Sequence, residues 1–454
     1  MTVNFTQFYK ATNPSKTLDL TQAEDQKFYI DFSSVRGGAL IEQLKAQITL
    51  FSEDQPTCQL FTGNIGCGKS TELYRLQAEL LKEDFHVVYL ESSQDLEMND
   101  VDVGDILLVI ARQVSESLEA SQVNLPLKGF KAFLQEITTL LGSELLGSDI
   151  TPIEVKVPKV GEFGIKEKQG EYSLSVGIAK ITTRAKNSPT LRNRLRDYIE
   201  PRTNTIINVI NTELIEPAIA RLQYQGKRGL VVIVDNLDRV EILPKPWGRT
   251  QPEYLFVDRG EQLRQLNCHV IYTMPLGLRF SNDYLLLTNR FGVEPKVLPM
   301  VPVKQRNGKE CEEGMAKLRA MVMARAFPKL APAQRLQGIS EVFDAPETLD
   351  RLCSISGGHL RQLLSMIRDW IMVEGKLPLS RAGLDQVIRS RCNRIRLAIE
   401  EEDWELLRQV HQSQEVRGDY DYQALVRSLF VYEYYDTQGS WFTVNPILLE
   451  TGKL

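Results

Sequence analysis

The chain has 454 residues, 43% of them apolar and 25% charged, with a formal net charge of −5. Such a length holds about three domains with a sizeable core, and the slight acidity excludes a global pull toward nucleic acid, leaving only local basic patches to bind it. No apolar run approaches the ~18 residues of a membrane span, and MTVNFTQFYKATNPSK lacks a basic-then-apolar leader pattern, so a cytoplasmic protein with no membrane partner is expected.

In chain order, the first element with chemistry in it is FTGNIGCGKSTELYRL, residues 61–76. The spacing Gly63-x4-Gly68-Lys69-Ser70 is that of a P-loop, running through Asn64, Ile65, Gly66 and Cys67 and on to Thr71. Glycines let successive backbone N–H groups converge on one anion, a lysine serves the outer phosphates, and the Ser70 hydroxyl suits Mg²⁺. The flanks agree: Cys58 to Phe61 predicts a strand, and Leu73, Leu76, Leu80 and Leu81 predict a helix whose N-terminus faces the phosphates.

A second strand is expected over Phe85 to Leu90, giving the βαβ rhythm of a parallel sheet. The acidic tract ESSQDLEMNDVDVGD that follows reads as a solvated loop. The next clear strand is GLVVIVDNLD at 229–238, whose four buried-type residues Val231 to Val234 end in Asp235, a carboxylate placed to serve the same metal as Ser70. More than a hundred residues separate these strands, so an insertion is expected between them, at about 120–225. Its alternating Val155, Val157, Val160 and Tyr172, Leu174, Val176, Ile178 around Lys168-Gln169-Gly170 predict a β-hairpin, with Pro158 at an edge. Helical spacing follows from Leu191 to Leu222. Its basic start (Arg184, Lys186, Arg192, Arg194, Arg196) reads as a solvated helix face or a contact for a partner or nucleic acid.

A fourth strand, His269 to Tyr272, ends at Thr273-Met274-Pro275, and a fifth, Val293 to Leu298, follows LLLTNRFG, read as a turn. Six cysteines without a Cys-x-x-Cys pair and four histidines without metal spacing predict reduced core thiols and no zinc site.

With these residues in place, the chain resembles the AAA+ and STAND branch of P-loop ATPases, particularly modules of the origin-recognition type, over about residues 28–375. Thr273 looks like sensor 1, Arg290-Phe291 looks like the box that carries the arginine finger, and Ser356-Gly357-Gly358-His359-Leu360-Arg361 looks like the sensor 2 helix start. Asp235-Asn236-Leu237-Asp238-Arg239 resembles the Walker B form of signalling and defence NTPases. The resemblance implies ATP and Mg²⁺ as cofactors, with Thr273 orienting a water, Arg361 reaching the γ-phosphate and Arg290 reaching a neighbour's nucleotide. Each has a plainer reading: a strand cap, a helix-surface charge, a loop ion pair. The sequence departs from AAA+ enzymes at Asn236, where they place the water-activating glutamate, so slow hydrolysis is expected; Asp238 either replaces that base or only holds Arg239 or the sensor.

The expected architecture is therefore α/β. A residue 1–27 arm precedes a five-stranded parallel P-loop core with a β-hairpin and helical insertion (28–305), a helical lid (306–378), and an arginine-rich helix with a winged-helix-like domain (379–454). The wing would be LFVYEYYDTQGSWFTV, two β-rich runs around Asp436-Thr437-Gln438-Gly439. From residue 401 onward there are ten Asp/Glu against four Lys/Arg, a net of −6, which repels a phosphate backbone. A protein partner is expected there, with DNA reached only through the arginine clusters at 184–196 and 381–396, and homo-oligomers forming on ATP. The competing expectations are a slow oligomeric ATPase, a signalling switch whose output is binding, and a loader or regulator on DNA.

Overall fold

The computed structural model describes residues 2–52, 55–123, 125, 132–137, 174–246, 248–418 and 420–454. Five strands form one parallel sheet: β1 (Cys58–Gly63), β2 (His86–Glu91), β3 (Leu230–Asp235), β4 (His269–Thr273) and β5 (Lys296–Leu298), in the order β2-β3-β4-β1-β5. β1, β3 and β4 are buried along their whole lengths and are near-continuous apolar runs, as strands covered on both faces require. The chain divides into two compact units, one of residues 1–53, 59–83 and 272–454, the other of 54–58 and 84–271.

In the second unit β2 and β3 run in parallel register, with His86 opposite Leu230 and Glu91 opposite Asp235. Helix Val103–Ala120 starts from a capping box, Asp102 and Asp105 each bonding back to the other's turn. Two sequence expectations are corrected here. The first concerns the hairpin. Its arm at Val155 to Val160 lies outside the described residues, whereas Leu174–Asn187, expected to open as a strand, is a helix. Ser175, Ile178, Thr182 and Ala185 are buried while Val176 is 40% exposed, so the three-to-four-residue period overrides the short alternation. The second correction concerns the acidic tract, which is not a bare solvated loop. Asp100 accepts from Arg192 (3.1 Å), Arg196 and Lys245 (3.1 Å), and Asp105 accepts from Arg196 at 2.9 Å. Burial works against the Asp100 charge, yet the Arg196 and Lys245 hydrogen bonds hold its pKa down at about 2. Arg192 is itself buried, so two of the five cations expected on a solvated or nucleic-acid-binding face are bound to carboxylates of their own unit.

In the first unit β1 pairs with β5, Phe61 opposite Lys296 through Gly63 opposite Leu298. The stretch LLLTNRFG, expected as a turn, is mostly helix: Tyr284–Phe291 closes on Gly292 in the left-handed conformation, and the fifth strand is correspondingly short. Helices Glu312–Ala326, Pro346–Ile355, Leu360–Glu374 and Arg381–Arg396 share one core built around Trp370, Phe343, Leu352 and Leu363. Phe8, from helix Phe5–Ala11, is buried in that same core. A second core gathers helices Glu401–Ser413 and Tyr420–Arg427 with the hairpin β6 (Val431–Asp436) and β7 (Gly439–Val444), around Trp404, Leu407, Leu425 and Phe442. The hairpin turns at Thr437-Gln438, with Asp436 opposite Gly439.

Candidate nucleotide site

β1 runs out of the sheet into Gly63, and helix Lys69–Lys82 begins at the far end of the loop, so five residues must reverse direction with their N–H groups turned inward. Gly66 shows why the spacing is glycine-rich: its φ is +85°, and a Cβ there would stand 2.7 Å from His359 Cε1 and 2.9 Å from Arg361 Cβ. Lys69 is buried, and its Nζ donates to Gly63 O at 2.8 Å and Asn64 O at 3.0 Å, which aims the ammonium into the concave side of the loop. Ser70 and Thr71, half-buried, open the helix. A buried cation in a glycine-lined loop at the start of a 14-residue helix is a set of donors that fits a phosphate chain.

The loop is held from the lid. His359 caps helix Leu360–Glu374 by accepting from the Gln362 N–H at Nδ1 (2.9 Å), which leaves the proton on Nε2, and Nε2 donates to Ile65 O at 2.8 Å. Arg361 N donates to Gly66 O at 3.2 Å, so the residue expected as sensor 2 begins its helix directly on the P-loop. Burial brings the His359 pKa down to about 4, with the Ile65 hydrogen bond opposing it.

The C-terminal module reaches the same place. Asn64 Nδ2 donates to Val426 O at 3.4 Å, at the end of helix Tyr420–Arg427. Tyr432 Oη donates to Gln362 Oε1 and Tyr434 Oη to Gly357 O, both at 2.7 Å, and Met300 N donates to Glu433 O at 2.9 Å. Arg279, a few residues after Thr273, is ion-paired with the buried Glu433. Thr273 is fully buried at the end of β4, and Thr62, in β1, donates to the neighbouring Met274 O at 2.8 Å. Arg290 is half-buried in the last turn of its helix.

Sequence reasoning missed Arg36. It is 2% exposed, donates from Nη2 to Cys67 O at 2.8 Å, and has neither Nε nor Nη1 hydrogen-bonded among the described residues. Burial lowers its pKa, and Cys67, Glu72 and Tyr29 act in the opposite direction. Its only sequence signal is Arg36-Gly37-Gly38 ahead of helix Leu40–Thr49, too short a pattern to read alone.

In the second unit, Asp235 ends β3 fully buried. One carboxylate oxygen accepts from Tyr89 Oη at 2.7 Å and the other from Asn236 N at 2.7 Å, which fixes its orientation. Asn236 has φ +62°, a left-handed conformation that asparagine tolerates better than glutamate does. Asp238 follows, half-buried, in a 3₁₀ turn.

Sheet order, the glycine-rich loop between β1 and its helix, and the helical core beside it define an α/β fold of the P-loop type. No protein-family model and no curated protein matches the chain. Among solved structures it is similar to Aeropyrum pernix ORC2 in its ADPNP-ADP complexes, at 12% identity and TM-score 0.37 over 89% of each chain. It is also similar to Cdc6p from Pyrobaculum aerophilum (12%, TM-score 0.36, 94% of this chain and 96% of that one). A Walker-type ATPase of Pyrococcus abyssi matches at 10% identity and TM-score 0.38, over 94% of this chain and all of the other. Likeness at this level assigns no family, and the fold of the present chain is defined by its own strand order and loop. Among the described residues no helix is long and apolar enough to cross a membrane.

Proposed function

We propose that the chain is an AAA+/STAND-type ATPase that binds ATP with Mg²⁺, hydrolyses it slowly, and uses the nucleotide state to change conformation or oligomeric state and so act on a protein partner. The observation that carries this reading is the attachment of lid and C-terminal module to one loop, through His359 to Ile65 O, Arg361 N to Gly66 O and Asn64 to Val426 O. Phosphate entering that loop competes with or reshapes contacts that hold two other elements, which is what a switch requires.

In this reading residues 63–71 would cradle the phosphates, Lys69 would meet the outer ones, and Ser70 and Asp235 are the residues that would hold Mg²⁺, whose chemistry there would be charge neutralisation. Thr273 orients the attacking water, Arg361 reaches the γ-phosphate from the lid, and Arg290 serves a neighbouring subunit. Asn236 lacks a proton-accepting carboxylate, so turnover is slow unless Asp238 takes that part. The domains we assign are the 28–305 core, with its insertion at about 120–225, the 306–378 lid and the 379–454 winged-helix-like region, preceded by the 1–27 arm. Steady-state phosphate release tests the catalytic half: Asp235→Asn abolishes Mg²⁺-dependent turnover, and Asn236→Glu leaves the slow rate unchanged or raises it. Wild-type turnover that survives Asp235→Asn contradicts it.

A second reading, a nucleotide-dependent loader or regulator on DNA, is favoured by the exposed Arg389, Arg394 and Arg396 on helix Arg381–Arg396. The 184–196 cluster supports it less, because Arg192 and Arg196 are committed to Asp100 and Asp105. Salt-dependent affinity for duplex DNA, lost in Arg389→Ala/Arg396→Ala, separates the two readings.

A further inference from the structure

A cavity of about 530 Å³ lies away from the P-loop, walled by three segments of the first unit that are far apart in sequence. Ser34 and Val35 form one wall. The second is the loop closed by the Lys304–Glu310 bridge, together with Cys311 and Glu313 at the start of helix Glu312–Ala326. The third is the tip of the β6–β7 hairpin, with Tyr435 and Trp441. This volume falls within the range of small-molecule sites.

The charges inside are nearly all closed. Arg306 grips Asp436 with two hydrogen bonds (2.9 and 3.1 Å), and Glu313 accepts from Ser34 Oγ at 2.5 Å with Lys317 3.9 Å away. Lys304 has no ion pair among the described residues, so the cavity offers one uncompensated cation. It also offers aromatic surface. Trp441 is buried and stacked on Tyr434 at 4.7 Å, whereas Tyr435 is 45% exposed. An aromatic wall beside a single open ammonium suits a planar ring that carries one anionic group.

The wall at Ser34 and Val35 runs directly into Arg36, whose guanidinium bonds Cys67 O in the P-loop. Gly37, at φ +79°, lies so close to the Tyr435 ring that a Cβ would stand 2.3 Å from Cδ1. The segment that touches the P-loop is thus also packed on the hairpin tip.

We propose that this cavity is a second ligand site, separate from the P-loop, for an aromatic anion of nucleoside-monophosphate size, and that its occupant tunes nucleotide affinity through the Ser34 to Gly37 segment. The ring lies against Tyr435 and the phosphate or carboxylate meets Lys304. The tuning part rests on residues 63–71 being the nucleotide site; the binding part does not.

The test uses full-length Lys69→Ala protein, in which the P-loop is disabled, titrated calorimetrically with nucleoside monophosphates in one arm and aromatic carboxylates in the other. Saturable binding in either arm, weakened about tenfold or more by Lys304→Glu and by Tyr435→Ala, is expected, and the responding arm identifies the anion. Both substituted side chains are exposed, and far-UV circular dichroism of each variant checks that the fold is kept before titration. No saturable binding by about 1 mM in either arm, or binding indifferent to both substitutions, overturns the site. The tuning is read in protein with Lys69 intact, as a shift in ATP affinity when the cavity ligand is added. Its absence there overturns the tuning alone, and ATP affinity equal in Lys69→Ala and wild type marks instead a failure of the P-loop reading.

Discussion

At the scale of single residues, Lys69 and His359 carry the sharpest expectations. Lys69 is the buried cation of the loop, so Lys69→Ala lowers affinity for a fluorescent ATP analogue by about 10- to 100-fold, the worth of a lost charge-assisted hydrogen bond. Unchanged affinity would place the nucleotide elsewhere. His359 is neutral in the fold, accepting at Nδ1 and donating at Nε2, and a second proton would set N–H against the Gln362 N–H. Its pKa is lowered to about 4, below the ordinary 6.5 of an unfolded chain, so the unfolded state takes up protons first as pH falls. Stability from this residue is therefore complete above about pH 6.5 and drains away toward pH 4, by about 3 kcal/mol in all. His269, also lowered to about 4 by burial, adds to the same window. Denaturant melts between pH 4 and 7 should show the decline, and His359→Gln should flatten part of it; an unaltered profile in the variant contradicts the assignment. At this scale the P-loop was fully legible in the sequence, because its glycines, lysine and hydroxyl are contiguous. Arg36 was not, because what marks it is burial against a carbonyl 31 residues away.

At the scale of elements, the β6–β7 hairpin matters as a brace. Tyr432 and Tyr434 carry buried hydroxyls that hold Gln362 and Gly357 of the lid, so Tyr432→Phe and Tyr434→Phe each remove one buried hydrogen bond. Each should destabilise by about 1–2 kcal/mol in urea melts, with Tyr434→Phe leaving a buried carbonyl short of a donor. A neutral effect of both would mean the hairpin rests on the lid without holding it. The core strands could be read from sequence because parallel buried strands are uniformly apolar, as in Val231 to Val234. The insertion misled because Leu174, Val176 and Ile178 alternate over a span too short to tell a strand from a helix, and only the burial of Ile181 and Ala185 further on decides it. The pairing of Arg192 and Arg196 with the acidic tract joins residues some ninety positions apart, a distance no local pattern encodes.

At the scale of the whole molecule, the proposal divides into assembly and switching. Assembly turns on Arg290, in a helix that also exposes Leu285 at 73%. Arg290→Ala should leave ATP affinity nearly intact while lowering hydrolysis at concentrations where the wild type oligomerises, and mixing it with Lys69→Ala should recover part of the activity. Rates independent of protein concentration, with no recovery on mixing, would make the chain a cis-acting switch. Switching turns on the bonds joining the P-loop, residues 356–362 and the C-terminal module. Their most direct test is backbone hydrogen exchange, followed over residues 356–362 and 420–445 without nucleotide, with ADP and with ATP and Mg²⁺. The account predicts that protection in both segments changes with nucleotide in the wild type and stays constant in Lys69→Ala; exchange in the wild type that is identical under all three conditions, while nucleotide is bound, would contradict it.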